Sequence, residues 1–171
     1  MIVCRCASLP SVSQVSPDTS FSSINGNSYP LRDWLTSYPF FLVALDPYTN
    51  ESSWILEAAG DLLHHFSPAD IRVGWIATAD AEGCRTFLGP WEEKFLTFPD
   101  PERKLVSELG LEQLPALIHI RSDGFLEVAN GWNPEQWNEI AATICGQLAW
   151  SKPQVPKPGD PTPFPGTLAA S

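Results

Sequence analysis

Four cysteines are the residues best suited to covalent chemistry in this chain of 171, and their settings differ. Cys4 and Cys6 flank Arg5 in a segment without helical or alternating period. Two such thiols can take a soft metal or close a strained bridge, but no nearby histidine completes a four-ligand zinc site. Cys145 follows Ile144 in an apolar helical period, where a thiol behaves as a small hydrophobe. Cys84 lies in the polar stretch Asp80-Ala81-Glu82-Gly83-Cys84-Arg85. Arg85 would depress its pKa and favour a reactive thiolate, while Asp80 and Glu82 oppose that, which makes Cys84 the one candidate redox thiol.

Hydroxyl chemistry has a second set of candidates in Ser52 and Ser53. A serine nucleophile needs a histidine base within hydrogen-bond reach. His64 and His65 lie about three turns along the same helical stretch, roughly 17 Å from Ser52 at a rise of about 1.5 Å per residue, and His119 falls on a later strand. The acidic residues Asp46, Glu51, Glu57 and Asp61 lack the alternating oxygen ligands of a calcium loop and read as a solvated acidic surface. No metal and no cofactor follows from these residues. Of the seven tryptophans, Trp54, Trp75 and Trp137 fall at core-facing periods, whereas Trp91, Trp132 and Trp150 fall near breaks, and most read as packing anchors.

Composition narrows the partners. The net charge is −10 and the ten lysines and arginines are scattered singly, so no basic stripe is available to neutralise phosphates. Nucleic acid and anionic membrane surfaces are excluded as expected partners. No run approaches the roughly 20 apolar residues that span a bilayer, and the N-terminus lacks a charged segment leading into an apolar core. Four cysteines without a paired framework do not make a disulfide scaffold, so the expectation is a cytoplasmic protein with reduced thiols.

The elements that must position these residues are legible from pattern. Residues 1–20 are rich in Ser, Pro, Val and Gln and read as a flexible leader. Asn25-Gly26 marks a hairpin turn, and Leu31 to Leu35 one helical turn. Phe40 to Leu45 is a continuous apolar run between prolines, which predicts a central strand buried on both faces. A four-residue recurrence from Trp54 to Phe66 predicts a helix over 52–66, and Ile71 to Ala77 the next parallel strand. A less regular helical stretch follows, broken at Gly89-Pro90. Asp100-Pro101 and Gly110 bracket a helix over 101–109, and Asp123-Gly124 joins strands 116–120 and 125–129 as the hairpin that closes the sheet. Asn133-Pro134-Glu135-Gln136 starts the terminal helix. Six prolines between Pro153 and Pro165 predict an extended tail over 151–171, read first as a free linker, with Trp150, Val155 and Phe164 as the residues that would lay it along the domain surface in the alternative.

This order of elements over about residues 21–150 resembles the thioredoxin-like superfamily. It is more specifically similar to its redoxin branch, the peroxiredoxins and TlpA-like thiol-disulfide oxidoreductases. The residues that carry the likeness are the hairpin from Phe21 to Leu31, Phe98-Pro99-Asp100-Pro101 before a helix, Leu109-Gly110 before Leu114-Pro115, and Ser122-Asp123-Gly124-Phe125 in the last hairpin. The resemblance implies an α/β fold: a central mixed sheet with flanking helices, an N-terminal hairpin extension and the Pro-rich tail. It also implies a cis peptide at Leu114-Pro115.

In active relatives a cysteine opens the helix after the first core strand, where exposed amides and the helix dipole stabilise a thiolate. Aligned on strand ends, the thioredoxin-type pair falls near Asn50 and Ser53. Aligned on the peroxiredoxin motif, Thr49-Asn50-Glu51-Ser52 puts Ser52 at the peroxidatic position. Neither alignment meets a thiol, and an unactivated hydroxyl forms no disulfide or sulfenic acid. The sequence therefore predicts a non-catalytic binding or accessory module. Thr49 to Ser53, with Leu114 and Pro115, would offer unpaired backbone to an extended peptide. The alternative is a thiol-disulfide oxidoreductase or peroxidase working through Cys84.

Overall fold

A computed structural model describes residues 11–169. Its centre is a six-stranded mixed sheet in the order β1-β9-β8-β4-β5-β6. These strands are Ser11–Gln14 (β1), Phe40–Leu45 (β4), Arg72–Ala77 (β5), Leu96–Pro99 (β6), Ala116–Ile120 (β8) and Phe125–Asn130 (β9). The hairpin Ser20–Ser22 (β2) and Ser28–Pro30 (β3) stands apart from it, and Gln113–Leu114 (β7) pairs with Thr167–Leu168 (β10). The helices are Leu31–Trp34 (α1), Asn50–Phe66 (α2), Ala81–Leu88 (α3), Pro90–Lys94 (α4), Lys104–Glu108 (α5) and Pro134–Leu148 (α6).

All six side chains of β4 are fully buried, as its unbroken apolar run requires. Because successive side chains on a strand point to opposite faces, β4 feeds two cores. Phe40, Leu42 and Ala44 join Phe21, Leu31, Trp34 and Phe98 on one side. Phe41, Val43 and Leu45 join α2 and α6 residues on the other, among them Ile55, Leu63, Phe66, Trp137 and Ile140. β4 runs parallel to β5 and antiparallel to β8, so the sheet changes sense beside its central strand.

The hairpin extension, the paired strands of 116–130, the break at Gly89-Pro90 and the terminal helix match their expected positions. Asn133 caps α6 by accepting from the Gln136 amide at 3.2 Å, with Pro134 at the first helical position.

Several expectations need correction. Residues 11–14 form β1, which pairs antiparallel with β9, and Val15 is buried, so the expected leader is folded from residue 11 on. The exposed edge of β9 supplies the hydrogen-bonding groups that order it, and β1 rather than the hairpin closes that side of the sheet. Leu96–Pro99, expected only as a lead-in to a helix, is a strand parallel to β5. The helix expected over 101–109 occupies Lys104–Glu108, because Arg103 adopts a left-handed conformation (φ 60°) and turns the chain after Asp100. Asp100 still caps it, accepting from the Leu105 and Val106 amides at 3.0 Å each. Trp54, expected in the core, is 55% exposed. The tail is not a free linker: it runs back over the domain and ends in β10. Among the described residues, no helix is long and apolar enough to cross a membrane.

Candidate functional site

The C-terminal ends of β4 and β8's N-terminal end meet the start of α2, and the candidate site is built there. Leu45 ends β4, and Asp46-Pro47-Tyr48-Thr49 turns the chain into α2. Asp46 organises this turn. Its amide donates to Ser52 Oγ at 2.9 Å, its Oδ1 accepts from the Tyr48 amide at 3.1 Å, and its carbonyl accepts from the Thr49 amide at 3.0 Å and the Thr49 hydroxyl at 2.9 Å. The remaining oxygen, Oδ2, takes Arg103 Nη2 at 2.8 Å. A carboxylate this buried needs such partners, since an unpaired charge away from water is strongly unfavourable.

The predicted site positions divide accordingly. Ser52 is fully buried and its hydroxyl is engaged by the Asp46 amide, so it serves the turn rather than facing a substrate. Thr49 is the N-cap residue, but its hydroxyl donates backward to Asp46 instead of capping α2. Asn50 and Ser53 are exposed on the first turn of α2, and Tyr48 is exposed beside them. No histidine reaches Ser52: His65 Nε2 lies 2.6 Å from the Ser151 carbonyl, and buried His119 pairs with Glu127 at 3.2 Å.

Across from this turn the Leu114-Pro115 peptide is cis. The pairing of Ala44 with Ala116 sets Pro115 beside the end of β4, next to the Asp46 turn. The edge that precedes Pro115 is occupied. Thr167 pairs with Leu114 and Leu168 with Gln113, and the Ala169 amide donates to the Glu112 carbonyl at 3.0 Å. Upstream, Phe164 and Trp132 exchange backbone hydrogen bonds at 2.9 and 3.1 Å. Trp132 Nε1 donates to the Pro161 carbonyl at 2.7 Å. Trp54 lies off the buried face of α2, which Ser52, Ile55, Ala59, Leu62, Leu63 and Phe66 make up, and its exposed ring meets Phe164 edge-on at 5.7 Å. Ala169 is fully buried, and its carbonyl accepts from Arg103 Nη1 at 2.5 Å. Arg103 thus joins the tail to the Asp46 turn. The backbone expected to be open at Leu114 and Pro115 is paired within the chain, Leu114 with Thr167 and the Pro115 carbonyl with the Gly131 amide at 2.7 Å.

Cys84 sits in α3, fully buried, with its thiol directed at the Ala79 carbonyl at 3.5 Å. Burial first, then Asp80 and Glu92, push its pKa up from the ordinary value to about 11, and Arg85 only partly offsets them. That is the reverse of what a reactive thiolate requires. Cys145 is buried and shifted upward as well, again chiefly by burial. Both thiols are unpaired. Cys4 and Cys6 lie outside the described residues. The acidic set does not converge: Asp46 is taken by Arg103, and Asp61 pairs with Lys157 of the tail at 2.8 Å.

Arg103 and the segment Pro165–Ala169 carry no signal in the sequence, whereas Phe164 is one of the apolar tail residues that could dock. The proline density signals only an extended backbone. Gly131 and Gly166, both at positive φ, carry the close approach of the tail, and a glycine's need for space is visible only against its neighbours.

No protein-family model matches this sequence, and no curated protein matches it. Solved structures do match. The thioredoxin domain of a thiol-disulfide oxidoreductase from Bacteroides vulgatus superposes with a TM-score of 0.59 at 13% identity, covering 78% of this chain and 98% of that one. A secreted Mycobacterium tuberculosis disulfide oxidoreductase, homologous to E. coli DsbE, gives a TM-score of 0.55 at 18% identity over 77% of this chain and 95% of that one. Peroxidoxin BcpB from the same organism gives 0.55 at 16% identity over 71% and 85%. The fold is therefore thioredoxin-like, as in these oxidoreductases and the peroxidoxin.

Proposed function

We propose that this chain is a thioredoxin-fold binding or accessory module without thiol redox chemistry of its own. The observation that carries the reading is the turn from Asp46 to Ser53, which holds no thiol and whose buried hydroxyl, Ser52, is committed to the Asp46 amide. The partner in this reading is an extended peptide or protein segment at the edge before Pro115, where main-chain hydrogen bonds supply affinity by strand addition. The net charge of −10 argues against nucleic acid. A cytoplasmic location belongs to the same reading, supported by two buried thiols that stand unpaired.

Cysteine-resolved alkylation with iodoacetamide tests this against the displaced-cysteine alternative. With the Cys84 pKa at about 11, its thiolate is scarce at neutral pH. Its labelling in the folded chain should stay far slower than in the unfolded chain at pH 8, and should climb only as pH rises toward that value. A Cys84 that alkylates fast at pH 7, with an apparent pKa below the free-thiol value of about 8.5, would restore the enzyme reading.

A further inference from the structure

The tail does more than cover the surface: it occupies the β7 edge, at which this site could receive a strand, and it does so through features specific to its sequence. Phe164 lies edge-on to Trp54 and is bridged by both backbone groups of Trp132. Pro165 crosses Gly131 so closely that a Cβ there would come within 2.5 Å of the Pro165 carbonyl oxygen. Gly166 crosses Leu114 with no space for a side chain, since a Cβ would collide with the Leu114 carbonyl and lie 2.9 Å from its carbon. Gly166 also has φ +82°, a conformation that side-chain-bearing residues rarely adopt. Three residues on, Ala169 is fully buried and held by Arg103 and Glu112.

We propose that Phe164–Ala169 is a built-in ligand of this edge, a strap that keeps the peptide site filled until a competing strand displaces it. The inference rests on the binding-module reading above. The competing strand is an extended peptide of matching chemistry: an aromatic residue, then proline, then glycine, with a small residue three positions after the glycine. Attachment gives the strap an effective concentration on the order of millimolar, so a partner in trans binds only when it outcompetes that advantage or when the strap is weakened.

The test uses a fluorescein-labelled peptide with the sequence of residues 161–169 and full-length chains. Gly166→Val in the chain should expel the strap, and Phe164→Ala should loosen it by removing a partly buried ring at the margin of the α2–α6 core. Both variants should bind the labelled peptide at least about tenfold more tightly than the unmodified chain does, as removal of a tethered competitor requires. The same peptide carrying Gly166→Val should bind none of them. Equal binding by all chains, or no binding by a folded Phe164→Ala chain, would overturn the proposal. Disulfide turnover by the unmodified chain would instead overturn the binding-module reading and leave the peptide result standing.

Discussion

Ser52 shows how residue type and position part company. The resemblance of Thr49-Asn50-Glu51-Ser52 to the peroxiredoxin motif marks it from sequence as a place where a reactive sulfur would sit, and the folded chain uses it as a buried acceptor for the Asp46 amide. Ser52→Ala should therefore cost about 1–2 kcal/mol of stability, the usual cost of orphaning a buried amide. The effect is read as a lower urea midpoint with an unchanged slope. A Ser52→Ala chain as stable as the original would mean that water or another group satisfies the Asp46 amide. Arg103 was not legible at all. Its partner Asp46 is 57 positions away in sequence, and its reach depends on a left-handed backbone that nothing in Asp100-Pro101-Glu102-Arg103 announces. Cys84 could be named from sequence but not judged, because the charges around it point both ways and burial, the largest influence, is a tertiary property.

Long periodic elements were legible, and short ones only where a turn signal marked them, as Asn25-Gly26 does for the β2–β3 hairpin. β4, β5, α2 and α6 carry enough apolar positions for their periods to be read, and the caps at Asn133 and Asp100 work with the side chains expected of them. β1, β6, β7 and β10 have two to four residues each, too few for any period, and they exist because a neighbouring edge needs hydrogen-bond partners. The pairing of β7 with β10 depends on the glycines that let two backbones approach. Gly131→Ala should accordingly destabilise the chain by about 2 kcal/mol, combining a positive φ with a clash against the Pro165 carbonyl. Tail protection should suffer with it: amide hydrogen exchange at Trp132 and Ala169 should speed up more than exchange in β4. Uniform acceleration across the sheet would show that the strap and the core open as one unit.

At the scale of the whole molecule, a sheet of thioredoxin-like fold lies between two cores, and the turn after its central strand is bound into structural hydrogen bonds. The cis Leu114-Pro115 peptide and the helix start at Asn50 meet at the end of β4. What lies across them is the chain's own terminal strand. Element order carried the fold in the sequence, since consecutive strands and helices admit few right-handed arrangements. For the tail, Trp150, Val155 and Phe164 hinted at docking and do pack against the domain, but its course did not show, because its last residues dock through backbone geometry. The central claim is the absence of thiol chemistry, and dithiothreitol-driven reduction of a model disulfide by the full chain tests it most directly, run beside Cys84→Ser. The account predicts a rate equal to that of dithiothreitol alone for both proteins; turnover above that background in the unmodified chain, lost in Cys84→Ser, would contradict it.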